Sequence, residues 1–226
     1  MFNIGSMVYN CIKISTIRRG IFMNKLSMSG LYTLTEWITK FAYINLLWIG
    51  FSLLGLVLFG ISPATVAMFT VIRKWIMGES DIPVFQTFWG TYKKEFLRSN
   101  GLGLFLAILA CIIYIDLSYI KIDTSLQIPL YLIIFAMIMT VLYIFPVYVH
   151  YEVKFIQLFK NAFFIMLMNP LPNMMMIIGF IAAIFVMKFI PALLFIFGGS
   201  ITAGIIMASC YLAFQKIEKK QGQAAA

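Results

Sequence analysis

Ionisable and amide side chains are rare inside the long apolar runs of this chain, so each one is a candidate for chemistry. Asp116 and Asn45 are the two that stand out. A carboxylate inside a membrane is costly, and by default it marks a solute or proton pathway. However, Asp116 lies about one turn from the end of its run, where water can hydrate it. Asn45 has a structural alternative as well, because membrane amides often join neighbouring helices.

The other reactive side chains match no catalytic pattern. His150 and Glu152 are two residues apart, so they cannot share one face of a helix. Three cysteines, Cys11, Cys111 and Cys210, match no metal or redox spacing. The chain contains no H-E-x-x-H, no G-x-S-x-G and no phosphate-binding Gly-rich sequence. We therefore expect no enzymatic activity, no metal and no cofactor, and we interpret His150 and Glu152 as a solvated pair.

Composition determines the class of protein. Of 226 residues, 62% are hydrophobic and 11% are charged, and the mean hydropathy is +0.97. A water-soluble core of this size cannot hide so much apolar surface, which indicates a multi-pass membrane protein. The formal charge of +9 comes from bases that flank the apolar runs. This pattern favours an anionic membrane surface over nucleic acid, so we expect the lipid bilayer as a partner and no nucleic acid.

The number of spans depends on an uncharged run from Phe41 to Ile72, which is too long for one span and too short for two full ones. Within it, Gly60 suits a left-handed C-terminal position, Ser62 a helix cap, and Pro63 the first position of a new helix. A proline kink in one continuous helix is the alternative. Six spans place fifteen bases in the cytoplasm and two outside, whereas five spans place seven and ten. The positive-inside rule therefore favours six spans.

We predict an all-α, polytopic membrane helix bundle of six spans, arranged as three hairpins joined by cytoplasmic amphipathic elbow helices, with cytoplasmic N- and C-termini. The predicted spans are about 41–61, 63–77, 101–120, 127–149, 171–187 and 190–213, and the elbow helices about 83–98 and 153–168. The 63–77 segment is short for a span, and a re-entrant helix is the alternative. Residues 23–215 form one membrane domain, 1–22 a disordered or non-native extension, and 216–226 a basic tail.

The two predicted elbow helices carry similar patterns. The first has an aromatic stripe at helical spacing, made of Phe85, Phe88, Trp89, Tyr92 and Phe96. The second repeats a broad apolar stripe seventy residues later, with a basic polar face opposite. Such helices suit the membrane interface. An internal repeat of three elbow-plus-hairpin units is one interpretation, and the alternative is that any short cytoplasmic connector becomes amphipathic.

Several short stretches carry a family resemblance. They are Asn45-Leu46-Leu47-Trp48, Ser62-Pro63-Ala64-Thr65, Val71-Ile72-Arg73-Lys74-Trp75, Gly78-Glu79, Asp81-Ile82-Pro83-Val84-Phe85, Phe88-Trp89, Tyr92-Lys93, Glu95-Phe96 and Asn100. Together they resemble the YesL-like family of bacterial integral membrane proteins, over roughly residues 24–215 and specifically across 45–100. The resemblance implies a domain of unknown function in Gram-positive bacteria, often encoded beside carbohydrate uptake and polysaccharide-degradation systems. It implies no catalytic residues.

These observations lead to two hypotheses. The first is a non-enzymatic accessory component of carbohydrate uptake in the bacterial cell membrane, with a carbohydrate permease or another membrane protein as partner. The alternative is a small-solute transporter with a polar path near Asp116 and Asn45. The candidate functional residues are Asn45, Pro63, Arg73, Lys74, Glu79, Trp89, Tyr92 and Asp116. The sequence leaves the oligomeric state open.

Overall fold

A computed structural model describes residues 32–119, 124–151 and 154–224, apart from the side chains of residues 116, 119, 124–127 and 220–224. The regular elements within these residues are α-helices. They are α1 (Tyr32–Leu54), α2 (Ile61–Ile76), α3 (Val84–Tyr119), α4 (Thr124–His150), α5 (Phe155–Met168), α6 (Pro170–Phe189) and α7 (Ala192–Ala224). The chain divides into two compact units, Met1–Ala42 and Tyr43–Ala226, and the packing below is that of the second unit. The predicted extension 1–22 lies outside the described residues.

Among the described residues, five helices are long and apolar enough to cross a membrane. The qualifying stretches are Tyr32–Leu54, Val84–Ile115, Ile128–His150, Pro170–Phe189 and Ala192–Lys219. Large apolar side chains cover much of their outer surface, which suits contact with lipid. The predicted class, an all-helical membrane bundle, is therefore confirmed. α2 has 16 residues, about 24 Å at 1.5 Å per residue, and is not among the five, so the count of six spans stays a prediction.

α2 is the most enclosed helix of the bundle. Ten of its residues are buried, including Ala64, Ala67 and Val71, because α3, α4 and α7 all pack against it. Small residues allow these helices to approach closely. A Cβ atom added at Gly103 of α3 would overlap the Ser62 hydroxyl at the start of α2. α2 is too short to qualify as a span by its length, but it lies among the longer helices because they enclose it.

The break in the first apolar run differs from the prediction. α1 ends at Leu54, and residues 55–60 form turns before α2 begins. Ser62, predicted as the helix cap, lies inside α2, where the N-cap position belongs to Gly60 and no side chain caps the helix. Gly60 was also predicted to be left-handed, but its backbone is right-handed, with φ −90° and ψ −34°. The left-handed residues are Leu56 and Val57, with φ 54° and 63°.

Two glycines explain the position of this turn. A Cβ at Gly55 would overlap the backbone of Gly60, and a Cβ at Gly60 would overlap the carbonyl oxygen of Ser52. The returning chain therefore touches the end of α1, which only residues without a side chain permit. The sequence predicted a capped corner, whereas the structure uses close backbone approach instead.

The first predicted elbow is not a separate helix. Residues 83–98 and 101–120 were predicted as an interfacial helix and a span, but α3 is continuous from Val84 to Tyr119. No proline interrupts residues 84–119, and Asn100 keeps its amide on its own helix, where it donates to the carbonyl of Phe96 at 2.8 Å. The remaining unit of the predicted repeat also lacks a separate elbow before its hairpin within the described residues, because residues 32–40 belong to α1. The internal repeat therefore does not hold as three separate elbows.

The second predicted elbow does form its own helix, α5. It ends because Asn169 precedes Pro170, and a residue before proline is driven out of the helical region. Asn169 accordingly has φ −127° and ψ 73°. α7 then runs to Ala224, so its helix continues through most of the segment predicted as a tail.

Candidate functional site

A cavity of about 530 Å³ lies between the middle of α2, the first half of α3, the end of α4 and the residue that precedes α5. We call it the basic cavity. Its lining is Val66, Thr70, Thr91, Lys94, Glu95, Arg98, Tyr148, Val149 and Lys154. Three bases face one carboxylate, so the cavity carries a net positive charge. That charge suits an anionic ligand.

The polar groups of the basic cavity are held in place by one another. Tyr148 of α4 donates a hydrogen bond to Oε2 of Glu95 on α3 at 2.6 Å, the short distance of a charge-assisted bond. The Arg98 guanidinium lies 5.2 Å from the centre of the Tyr148 ring, within the range of a cation–π contact. Lys94 and Lys154 are exposed at the mouth. The cavity therefore combines a hydrogen-bonded pair of Glu95 and Tyr148 with two exposed ammonium groups.

Beside the cavity, a second polar cluster joins three helices, and we call it the interhelical triad. Arg73 of α2 donates from Nε to Nδ1 of His150 at 3.2 Å, and Nε2 of His150 lies 3.1 Å from Oε1 of Glu218 on α7. Because arginine only donates, Nδ1 must be the acceptor, and Nε2 carries the proton that bonds Glu218. The ring also stacks on Phe214 with centroids 4.5 Å apart.

The interhelical triad corrects the interpretation of His150. The sequence suggested a solvated pair with Glu152, which lies outside the described residues, but the His150 side chain is largely buried and pairs with Glu218 instead. Tyr151 packs edge-on against the imidazole at 4.7 Å. Burial raises the pKa of the Tyr151 phenol, and Glu218 raises it further, so this neighbour stays neutral. Both nitrogens of His150 are occupied by helix-joining bonds, which indicates a structural role.

Trp89 and Tyr92 belong to an aromatic cluster around Phe51. The ring of Phe51 lies 5.2 Å from Trp89 and 5.1 Å from Tyr92, and the Tyr92 hydroxyl donates to the carbonyl of Phe51 at 3.2 Å. Tyr92 is buried, whereas Trp89 is 37% exposed with the Lys93 ammonium 4.3 Å above its ring. The cluster therefore has a structural inner part and an exposed outer part.

Asn45 joins α1 to α7. Its Nδ2 donates to the carbonyl of Phe195 at 2.9 Å, and its Oδ1 accepts from the backbone N–H of Ser200 at 3.1 Å. Gly199 makes room, since a Cβ there would come within 2.9 Å of the same Oδ1. The amide is buried, and both its nitrogen and its oxygen bond to the α7 backbone. This is the structural alternative that the sequence left open.

The remaining predicted residues are dispersed. Pro63 is buried in the first turn of α2. Lys74 and Glu79 form an ion pair at 3.9 Å, and both are exposed enough for solvent to weaken it. Asp116 lies in α3, but its side chain is outside the described part of the structure. Among the predicted residues whose side chains the structure describes, only Trp89 with Tyr92 and Lys74 with Glu79 are brought together.

Several residues of the two clusters were missed. Lys94 and Arg98 had been assigned to the polar face of an elbow, and Tyr148 gave no signal because it lies in an apolar run. The pairing of Glu95 with Tyr148 and of His150 with Glu218 spans long stretches of sequence, which no local pattern can reveal. Within the described residues no group of three metal-ligating side chains could hold a metal ion.

Comparison with known proteins gives one family. A family model described as "Protein of unknown function, DUF624" matches residues 41–117. The curated protein YesL of Bacillus subtilis is 36% identical over 198 residues, which cover 85% of this chain and 93% of YesL. YteU of the same organism is 36% identical over 201 residues, covering 87% of this chain and 90% of YteU. Both relatives are described as uncharacterized. No solved structure matches the chain.

Proposed function

The chain belongs to the YesL-like family, which includes the DUF624 domain, and from that premise we propose a multi-pass, non-enzymatic accessory protein of the bacterial cell membrane. Its proposed role is to assemble with another membrane protein in carbohydrate uptake, a sugar permease being the partner that the family resemblance implies. The proposal rests mainly on how the polar residues are used, since those that could do chemistry bind neighbouring helices instead.

The exposed side of the aromatic cluster supports a partner surface. Trp89 and Phe85 are 37% and 49% exposed, yet both are anchored from behind by Phe51. Tryptophan is enriched among the residues that dominate binding energy at protein interfaces. The Lys93 ammonium lies over the Trp89 ring and adds a charged group beside it. The proposed contact surface therefore consists of Phe85, Trp89 and Lys93 on the first three turns of α3.

The distribution of bases supports the proposed topology of six membrane segments with cytoplasmic termini. The last turn of α2, the first half of α3, the end of α4 and the second half of α7 meet at the basic cavity and the interhelical triad. Their bases thus collect at one end of the bundle, and the positive-inside rule makes that end cytoplasmic.

The turn between α1 and α2 supports membrane burial of this hairpin. Its sequence, Gly55-Leu56-Val57-Leu58-Phe59-Gly60, has no polar side chain. Each backbone N–H from Gly55 to Ile61 nevertheless donates a hydrogen bond within the turn or to the end of α1. Backbone in hydrocarbon must satisfy its own hydrogen bonds. We therefore place this turn within the hydrocarbon, with α2 as a short sixth segment.

Co-purification from a native bacterial host tests the accessory role. The tagged full chain should return with a stable membrane partner, and Trp89→Ala combined with Phe85→Ala should release it. Leu104→Ala combined with Ile108→Ala changes exposed apolar side chains of the same helix and serves as the control. A chain that returns alone, or a partner equally lost in both variants, would contradict the proposal.

A reporter fusion tests the topology independently. A reporter placed after Ser80, between α2 and α3, should be cytoplasmic if six segments hold. Labelling of the variant Ser80→Cys from the outer side by an impermeant thiol reagent would overturn the topology while leaving the question of a partner open.

The alternative, a small-solute transporter, has one specific observation in its favour. The basic cavity is large enough for a small anion and opens at the charged end of the bundle. Flux of an organic anion into proteoliposomes would support this alternative. Asp116→Asn tests the residue that the sequence singled out, and unchanged flux would remove Asp116 from the mechanism.

A further inference from the structure

A second cavity lies in the same gap as the basic cavity. It has a volume of about 490 Å³ and an apolar lining contributed by α3, α4 and α5. We call it the apolar cavity, and representative lining residues are Phe105, Leu109, Ala136, Met137, Ile144 and Phe163. Both cavities exist because α3 packs mainly against α2, while α4 packs against α2, α5 and α7. α3 and α4 are therefore bridged by side chains rather than by close backbone packing.

The two cavities follow one another along the same helices. On α3 the basic cavity ends at Arg98 and the apolar cavity begins at Phe105, which is about 10 Å further along the helix. On α4 the sequence order is reversed, since Tyr148 lines the basic cavity and Ile144, four residues earlier in the chain, lines the apolar cavity. α5 closes the side, where Phe159 meets Phe105 with ring centroids 4.5 Å apart. The gap thus changes from charged to apolar in one direction.

The length of the gap between α3 and α4 matches the thickness of half a bilayer. From Arg98 to Leu109 the helical rise is about 16 Å, and half of a hydrocarbon core is about 15 Å. The charged part lies at the end of the bundle where the bases collect, which is the level of the headgroups. Basic pockets between membrane helices on the cytoplasmic side are a known setting for anionic headgroups.

We propose that an anionic phospholipid occupies the gap between α3 and α4, with its phosphate in the basic cavity and one acyl chain in the apolar cavity. Lys94, Arg98 and Lys154 supply positive charge to the phosphate. The Glu95 carboxylate accepts the bond from Tyr148, and three bases against this one carboxylate leave the cavity net positive. A zwitterionic lipid would bring an ammonium group against these bases and bind less well.

The apolar cavity is the reason for choosing a lipid over a soluble phosphate. A free phosphate would use only the charged end and would leave about 490 Å³ of apolar space unfilled. An acyl chain fills that space and gains from contact with Phe105, Leu109 and Met137. The proposal is independent of the accessory role, because a bound lipid requires no protein partner.

Native mass spectrometry of the full chain from detergent micelles tests the proposal, with phosphatidylglycerol and phosphatidylcholine of identical acyl chains as probes. We expect one phosphatidylglycerol to be retained, with about ten-fold to one-hundred-fold preference over phosphatidylcholine. The triple variant K94Q/R98Q/K154Q should abolish the preference. The control K160Q/K216Q/K219Q removes the same charge outside the cavity and should keep it. Equal retention of both lipids, or equal loss in the control, would overturn the proposal.

A second variant tests the apolar part and separates a lipid from a free anion. Ala136→Phe fills the apolar cavity and should lower phosphatidylglycerol retention, whereas Ala182→Phe, at an exposed position of α6, should not. Circular dichroism and size-exclusion chromatography confirm that each variant is folded. If A136F retains the lipid as the wild type does, or if inorganic phosphate displaces it, the cavity binds a soluble anion and the lipid proposal is refuted.

Discussion

Replacing Asn45 by leucine should weaken the attachment of α1 to α7. Leucine nearly matches asparagine in shape but has no polar atoms, so the change removes two hydrogen bonds without leaving a large cavity. These are the bonds from Nδ2 to the Phe195 carbonyl at 2.9 Å and from the Ser200 N–H to Oδ1 at 3.1 Å. Both atoms of the side chain lie in the buried interior, where water cannot replace them.

The magnitude follows from these two bonds. Interhelical hydrogen bonds in membrane proteins contribute about 0.6 kcal/mol each on average, which gives roughly 1 kcal/mol for the pair. An unpaired backbone group adds about 1–3 kcal/mol when nothing replaces its partner. In the variant, the backbone N–H of Ser200 can donate to a carbonyl of its own helix, α7, so only part of this cost remains. We expect the free energy of unfolding to fall by about 1–3 kcal/mol.

Reversible unfolding of the full chain by sodium dodecyl sulfate in mixed micelles, followed by circular dichroism, measures this difference. Asn100→Leu is the matched control, because within the described part of the chain the Asn100 amide bonds the Phe96 carbonyl of its own helix, at 2.8 Å, and no other helix. That variant should lose less than about 0.5 kcal/mol. If Asn45→Leu costs no more than Asn100→Leu, the inference that Asn45 joins α1 to α7 is wrong.

Two further predictions concern the turn and the interhelical triad. Gly60→Ala should reduce the yield of folded protein sharply, because the new Cβ overlaps the Ser52 carbonyl. Gly50→Ala is the control and should be tolerated or mildly stabilising, because a Cβ at Gly50 has nothing within 4 Å. Equal folded yields of the two variants on size-exclusion chromatography would count against the close approach of the turn to α1. Arg73→Met should lower the free energy of unfolding by about 1–2 kcal/mol through loss of the bond to His150, while Lys74→Met should change it by less than about 0.5 kcal/mol. The same detergent titration measures both variants, and an equal effect at positions 73 and 74 would refute the structural role of the triad.

Helix positions were largely predictable because the length of an apolar run in a membrane protein indicates the length of the helix that it forms. The predicted spans 127–149 and 171–187 agree closely with α4 and α6. The boundaries failed where the sequence lacked a strong stop signal. Proline after Asn169 ended α5, whereas Ser99, Asn100 and Gly101 did not stop α3. A glycine or a polar residue permits a break, but packing against α2 makes the continuous helix more favourable.

The candidate site was predictable only in part. Charge counting and family resemblance identified Arg73 and Tyr92, and both make interhelical contacts. Their partners, His150 and the Phe51 carbonyl, lie 77 and 41 residues away along the chain. Spacing rules describe neighbours on one helix, so they cannot indicate which turns of different helices meet. The basic cavity escaped prediction for the same reason.

The sequence alone determined that this protein is a helical membrane protein, which residues its apolar helices contain, and which of its segments carry the bases. These properties follow from composition and local periodicity, since transfer of each residue into lipid depends mostly on its own side chain. Tertiary structure alone decided that α2 lies at the centre, that Asn45 and His150 join helices, and that α3 and α4 stand apart around a charged and an apolar cavity. These features depend on distances between helices, and such distances are set by the packing of side chains far apart in the chain.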